Sequence, residues 1–336
     1  MSIELPFVSI CTPTFNRRPF IQTMFQCFLN QTYPKNKMEW IIVDDGSDKV
    51  EDLIKASNIE QIKYFPLANK MKLGAKRNFM HGKTSGSILV YMDDDDYYPP
   101  ERIQHAVETL LKNPTALCAG SSELYIYFKH IKKMYQSGPF GPTHATAGTF
   151  AFRRDLLNFT KYNEDACLAE EREFLKNYTV PFVQLDPMKT ILVFSHNHNT
   201  FDKKHMLRGE HPQYLKESTK KVKDFIRYKK ERSIFEFFMK RIDEILETYL
   251  PGLPENKPDV LKQMAEIEQE RQSMDSTKTG MQIMVETPGV GKRPMTGEEI
   301  IHTLSGQQEL IKKQIDRIKE LEDCLIQLKT CINNKL

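Results

Sequence analysis

Four consecutive aspartates at 93–96 follow the apolar run 88–92, ILVYM. Carboxylates that close together disfavour one another's ionised form, so four without a cation make a strained empty site. A hard divalent ion relieves the repulsion, and Mg²⁺ or Mn²⁺ typically takes one or two carboxylates plus phosphate oxygens. A calcium loop is excluded, because Tyr97 and Tyr98 stand where an EF-hand needs Asn or Asp and then Gly. Strand alternation sends Asp93 and Asp95 to one side and Asp94 and Asp96 to the other. Relief of repulsion also predicts that Asp95→Ala raises the metal-free melting temperature. An acid run alone reads as a solvated turn. Position decides otherwise here, because residues 12–17 and Asp44-Asp45-Gly46 also end apolar runs in polar or turn-forming residues.

The elements that must carry these clusters alternate. PFVSICTPTF reads as a buried strand, and Phe20, Met24, Cys27 and Phe28 follow at helical spacing. MEWIIVDDGS is a second strand, 50–56 a weaker helix, QIKYF a third strand, 74–83 a helix and SGSILVYM a fourth strand. Pro99-Pro100 then opens a helix that reaches about residue 112. Strand and helix in turn make a mostly parallel sheet covered on both faces. Such sheets bind ligands beyond the carboxyl ends of their strands, where all three polar clusters lie.

Past residue 215 the pattern changes. Residues 216–250 read as one or two basic amphipathic helices, PGLPENKP interrupts them, and a polar helix covers 260–274. A Ser, Thr, Gly and Pro-rich stretch at 275–297 reads as a linker. Leu304, Ile311, Ile318, Leu325 and Ile332 are spaced by sevens, with Leu321 and Leu328 at the intermediate positions and Gln307 and Gln314 at the earlier ones. That pattern predicts a coiled coil and a homo-oligomer, against the plainer reading of one helix packed on the domain.

Of the 336 residues, 40% are hydrophobic and 28% charged, a globular composition. A net charge of +3 from 48 basic and 45 acidic residues argues against nucleic-acid binding. No apolar stretch is long enough to span a bilayer, the first seven residues lack a signal-peptide pattern, and six cysteines stand without CxxC spacing. The expectation is a soluble cytoplasmic protein. The basic, aromatic segment at 220–232 is a candidate for peripheral contact with an anionic membrane, or else a solvated helix packed on the domain.

VSICTPTFNR, WIIVDDGSD, GAKRN and MDDDDYYPP occur in an order, context and separation that resemble family-2 glycosyltransferases, over roughly residues 7–200. The resemblance implies an α/β, Rossmann-like GT-A fold, a nucleotide-sugar donor (a UDP-sugar first), Mn²⁺ or Mg²⁺ as cofactor, and inversion at the anomeric carbon. It also implies roles. Thr12, Pro13 and Asn16 would line the nucleotide, Asp44 or Asp45 would face the base, and Arg77 would approach the donor phosphates or ribose. Asp93 would hold the ribose or sugar side and share in the metal site, and Asp95 would ligate the metal.

GTFAFRR at 148–154 resembles the family's strand below the acceptor, and LAEEREFL its ED motif, with Glu171 as catalytic base and Glu170 the alternative. Glu171 replaces the more frequent Asp there. In SHNHNT, His196 fits the family's HxxNT segment and completes the metal or diphosphate site, with His198 its competitor. Plainer readings exist for each: a turn at Pro13 and Asn16, the common Asp-Gly turn pair at 45–46, a solvated helix face at Lys76 and Arg77, an ordinary charged helix at EEREF.

Four segments follow: a catalytic domain at 1–213, a helical extension at 214–274, a linker at 275–300 and an oligomerising helix at 301–336. The acceptor is a glycan or protein hydroxyl, glycosylated one sugar at a time. The family's processive synthases carry QxxRW and membrane helices, whereas the single tryptophan here is Trp40. PGVGKRP only imitates a phosphate loop, with Glu286 and Arg293 at positions that need Gly and Ser or Thr. Two rivals remain, a nucleotidyltransferase of related fold and a non-catalytic scaffold that displays the coiled coil. The first would need a glycine-rich, lysine-containing loop after strand one, which TPTFNRR is not.

Overall fold

The computed structural model describes residues 4–200, 203–208, 214–278, 284–287 and 291–333. The chain forms two compact units, Met1–Ala265 and Glu266–Leu336. In the first, β1 (Val8–Thr14), β2 (Met38–Asp44), β3 (Ile62–Pro66), β4 (Ile88–Tyr91), β5 (Cys118–Gly120), β8 (Ala151–Arg153) and β9 (Phe182–Gln184) form one sheet. Its order is β3-β2-β1-β4-β8-β5-β9. Only β8 runs against its neighbours. A smaller sheet, β10-β6-β7-β11, combines β6 (Leu124–Phe128), β7 (Lys133–Ser137), β10 (Leu192–Ser195) and β11 (Leu215–Glu217).

The expected α/β architecture is present, and its cause is visible in the strands. β1, β2 and β4 are covered on both faces, so they are buried almost throughout. Alternation then divides each strand between two cores. Ile10, Trp40, Ile42, Ile88 and Val90 enter one; Cys11, Ile41, Val43, Leu89 and Tyr91 enter the other. Helix α1 (Arg18–Leu29) lays Phe20, Met24, Cys27 and Phe28 against the first core. Phe28 stacks on Trp40, ring centres 4.5 Å apart. Helices α2 (Glu51–Ser57), α3 (Leu73–His81) and α4 (Arg102–Lys112) complete the series read from the sequence.

The extension differs from its reading as long amphipathic helices. It is a set of short helices at Val222–Phe225, Arg232–Glu236 and Ile242–Thr248, joined by a π turn at Phe237–Arg241. Val222, Phe225, Ile226, Ile234, Phe237, Phe238, Ile242 and Leu246 are buried in the first core. Each such side chain contributes roughly 1.5–3 kcal/mol. The extension is therefore part of the first unit's own interior, with the lysines at 220–230 left outside.

In the second unit a hairpin pairs Met284–Thr287 with Gly291–Pro294, inside the stretch read as a linker. A helix of 37 residues, Gly297–Asn333, follows. Thr296 and Glu299 exchange hydrogen bonds in a capping box at its start. Leu304, Ile311, Ile318, Leu321 and Leu325 are about half exposed along it. The side chains of Leu328 and Ile332 lie outside the described ones. Among the described residues no helix is long and apolar enough to cross a membrane.

Candidate active site

β4 ends at Tyr91, and the aspartates lie on a turn beyond it. The expected alternation therefore fails at the acids: no strand continues to impose it. Arg17 meets both inner members, with Nε 3.6 Å from Asp94 Oδ1 and Nη2 3.3 Å from Asp95 Oδ2. One buried guanidinium thus relieves the repulsion that the acids alone suggested.

Asp95 Oδ2 also lies 3.5 Å from His196 Nε2. Burial pushes the Asp95 carboxyl up, but Arg17 and then His196 hold it below the usual carboxylate range. Burial, then the Asp95 charge, pushes Asp94 and Asp96 up. The buried Asp96 Oδ1 has no hydrogen-bond partner among the described residues. The Asp93 N–H donates to the Tyr98 hydroxyl at 2.7 Å, and that hydroxyl donates to the Gly148 carbonyl at 3.1 Å. The Asp93 carboxylate occupies the space a side chain at 148 would take, since a Cβ there would lie 2.6 Å from Oδ2.

His196 is fixed by its surroundings. Its N–H donates to Asn199 Oδ1 at 2.8 Å, its Nδ1 accepts from the His198 N–H at 3.2 Å, and its ring lies 4.9 Å from that of Phe20. Burial lowers its pKa to about 4, only partly offset by Asp95, so the imidazole is neutral at pH 7, the form that binds metals. His198 instead faces the chain at Gly252, where a Cβ would come 2.7 Å from its Nδ1. Of the two histidines, His196 is the one beside Asp95.

The residues expected around the nucleotide lie at the ends of β1 and β2, where several are engaged by the protein. Thr12 is fully buried; its hydroxyl donates to the Met92 carbonyl at 2.6 Å and accepts from Trp40 Nε1 at 2.9 Å. Asp44 accepts from the Gly46 and Val50 N–H groups and the Tyr64 hydroxyl. Asp45 is paired with Lys76 and accepts from the Met71 N–H at 2.6 Å. Pro13 is half-buried.

Asn16 has φ of 53°, in the left-handed region. Its Oδ1 accepts from the Asp48 N–H at 2.9 Å, and its Nδ2 donates to the Pro251 carbonyl at 2.9 Å. The close approach of Asn16 requires glycine at 46, where a Cβ would come 2.5 Å from the Asn16 main-chain N. That contact is with backbone and cannot swing away. Gly46→Ala is therefore expected to cost about 1–3 kcal/mol, measured by urea unfolding.

Arg77 Nε donates to Glu170 Oε1 at 2.8 Å, both groups buried, with the guanidinium 4.4 Å from the Tyr91 ring centre. Lys76 and Arg77 are thus buried ion-pair partners and not a solvated face. Glu170 caps the short helix α5 (Glu171–Phe174), whose first residue, Glu171, is half-buried. Burial, then the Glu170 charge, raises the Glu171 carboxyl to about 7. Among the described residues it has no cation within 4 Å.

The family description Glycosyl transferase family 2 matches residues 9–175. Through these residues the chain belongs to that family. The glycosyltransferase AglE of Haloferax volcanii is 30% identical over 126 residues, covering 37% of this chain and 41% of that protein. A Haemophilus influenzae glycosyltransferase is 27% identical over 124 residues, 35% of this chain and 48% of its own length. The chain thus matches less than half of each of these relatives.

Among solved structures, the mannosyltransferase PcManGT of Pyrobaculum calidifontis, in complex with GDP-Man and Mn²⁺, superposes with a TM-score of 0.48 at 13% identity, over 83% of this chain and 81% of that one. S. aureus TarS 1-349, in complex with UDP-GlcNAc, gives 0.46 at 15% identity, over 87% of this chain and 97% of that one.

Reading the sequence missed the partners. Arg17 and Lys76 lie within recognised motifs, yet nothing local shows that they neutralise Asp94, Asp95 and Asp45. Nor does any local signal link Tyr97, next to the aspartates, to the fully buried Glu231, which accepts from its hydroxyl at 2.7 Å.

Proposed function

We propose that this family-2 glycosyltransferase moves single sugars from a nucleoside-diphosphate sugar, UDP-linked first, to a hydroxyl of a glycan or protein, with inversion and with a divalent metal. The observation that carries the reading is Glu171: a half-buried carboxyl raised to about 7, with no cation within 4 Å among the described residues, set beside a carboxylate that already has one. A general base works best with a pKa near the working pH. In this reading Glu171 takes the acceptor proton while the acceptor oxygen bonds to the anomeric carbon. The bond from that carbon to the diphosphate breaks on the opposite side, and its electron pair leaves with the phosphate oxygen.

Asp95 and His196, with Asp93 alongside, would hold the metal. One carboxylate oxygen and one imidazole nitrogen, 3.5 Å apart, suit Mn²⁺ or Mg²⁺ and leave further positions for phosphate oxygens, with the ring proton moved from Nε2 to Nδ1 and the His198 N–H contact given up. When bound, such an ion neutralises charge on the departing diphosphate. Pro13, Asn16, Asp45 and Arg77 would border the donor, while Thr12 and Asp44 brace the loops that do so. Release of free nucleotide from a panel of UDP- and GDP-sugars, with MnCl₂ and with EDTA, tests this. A lack of turnover of every donor would refute it.

The catalytic domain is assigned to 1–213, with the extension completing its core, and oligomerisation to 301–336, in two or more copies of the long helix. The half-exposed stripe of leucine and isoleucine supports this, since each such side chain gains roughly 1.5–3 kcal/mol on full burial. Truncation after residue 300 is expected to give a monomer that still turns over its donor. Light scattering that finds equal protomer numbers in the two proteins would refute the assignment.

A further inference from the structure

The segment after the extension's last core helix runs across the site. Tyr249 donates to Asp48 Oδ2 at 2.8 Å, Pro251 accepts from Asn16, and Asp259 pairs with Lys70. Gln263 Oε1 then accepts from the N–H groups of Cys167 and Leu168, at 2.7 and 3.1 Å, just ahead of Glu170 and Glu171. One strap therefore ties the donor loops to the loop of the base. It lies entirely beyond residue 175, where the family match ends.

Lys257 is the strap's inward-facing cation. It is 8% exposed, its Nζ donates to Thr200 Oγ1 at 2.7 Å and lies 5.7 Å from the Phe15 ring centre. The Lys70 and Lys76 ammonium groups also lie near that ring, at 5.4 and 6.0 Å, but each is paired with an aspartate. Lys257 has no carboxylate within 4 Å among the described residues. Its pKa falls to about 7, first through burial and then through Arg17. A buried ammonium with one hydroxyl partner still has two donors to satisfy, and an anion satisfies them at least cost.

We propose that Lys257 contacts the diphosphate of the bound donor, as a phosphate ligand supplied by the strap. This rests on the donor reading above. The ligand chemistry is that of a nucleoside diphosphate, because the site also holds Phe15 and the Asp95–His196 pair.

The test uses the full chain in MnCl₂ buffer. Calorimetry with UDP and GDP, and ligand-observed NMR with uridine and guanosine, are run on the wild type, Lys257→Met and Lys257→Arg. Lys257→Met keeps the stem over Phe15 and is expected to weaken the diphosphate about tenfold or more. Nucleoside binding should stay within about twofold, and Lys257→Arg should restore most of the diphosphate affinity. Unchanged diphosphate affinity, or equal loss for the nucleoside, would overturn the assignment and leave the donor reading standing. A wild type that binds neither UDP nor GDP would overturn both. Should Lys257→Met fail to fold, amine acylation of the wild type with peptide mapping decides: the bound diphosphate protects Lys257, and equal labelling with and without it rejects the proposal.

Discussion

Glu171→Gln is expected to lower transfer by about 10²–10⁴-fold while donor affinity stays near that of the wild type. The amide cannot accept the acceptor's proton, yet it fills the same space at the start of α5. In the wild type the base is the ionised form, so transfer should rise with pH through about 7, where burial and the neighbouring Glu170 set the Glu171 carboxyl. That rise should vanish in the variant. The sign for stability is opposite. A carboxyl whose pKa is raised on folding opposes the fold once it ionises, so the neutral amide should not lower the melting temperature at pH 8.

Glu170→Gln provides the contrast. It breaks the buried pair with Arg77, which typically costs about 3–5 kcal/mol, and should lower the melting temperature clearly. Initial rates from pH 5.5 to 9, with melting curves for both variants, check these outcomes. An active Glu171→Gln with an inactive but stably folded Glu170→Gln would move the base by one residue.

Asp95→Ala is expected to reduce turnover by at least about 10²–10³-fold, and added MnCl₂ should not restore it. The consequence for stability reverses the one drawn from four unpaired acids. Arg17 and His196 hold the Asp95 carboxyl below the ordinary 3.8 despite its burial. A carboxyl depressed on folding stabilises the fold above its unfolded pKa and loses that contribution as pH falls through the folded value. Asp95→Ala should therefore lower the melting temperature in EDTA at pH 7, with Arg17 left facing Asp94 alone. Turnover close to wild type in MnCl₂ would refute the metal assignment. A raised melting temperature would show that repulsion among the acids outweighs the Arg17 pair.

The sequence by itself determined the order of strands and helices over the first 112 residues and the places where polar residues end the strands. Those features are local. The alternation of Ile10 with Cys11 and Ile41 with Ile42, the spacing of Phe20, Met24, Cys27 and Phe28, and Pro99-Pro100 all act within a few residues. The motifs were legible for the same reason, each being a short run attached to one strand end.

Only the tertiary structure decided which carboxylates are already satisfied. Asp45 is taken by Lys76, 31 residues away, and Glu170 by Arg77, 93 away. Arg17 reaches Asp94 and Asp95 from the end of β1, and Glu171 is left raised, with no cation within 4 Å among the described residues. Four acids in a row do not reveal that β4 stops before them. Nor does a Pro-rich interruption reveal that Pro251 accepts from Asn16, 235 residues earlier, and that Lys257 turns inward. Charge pairing and burial depend on which elements the sheet brings together, and no period of 2 or 3.6 residues encodes that.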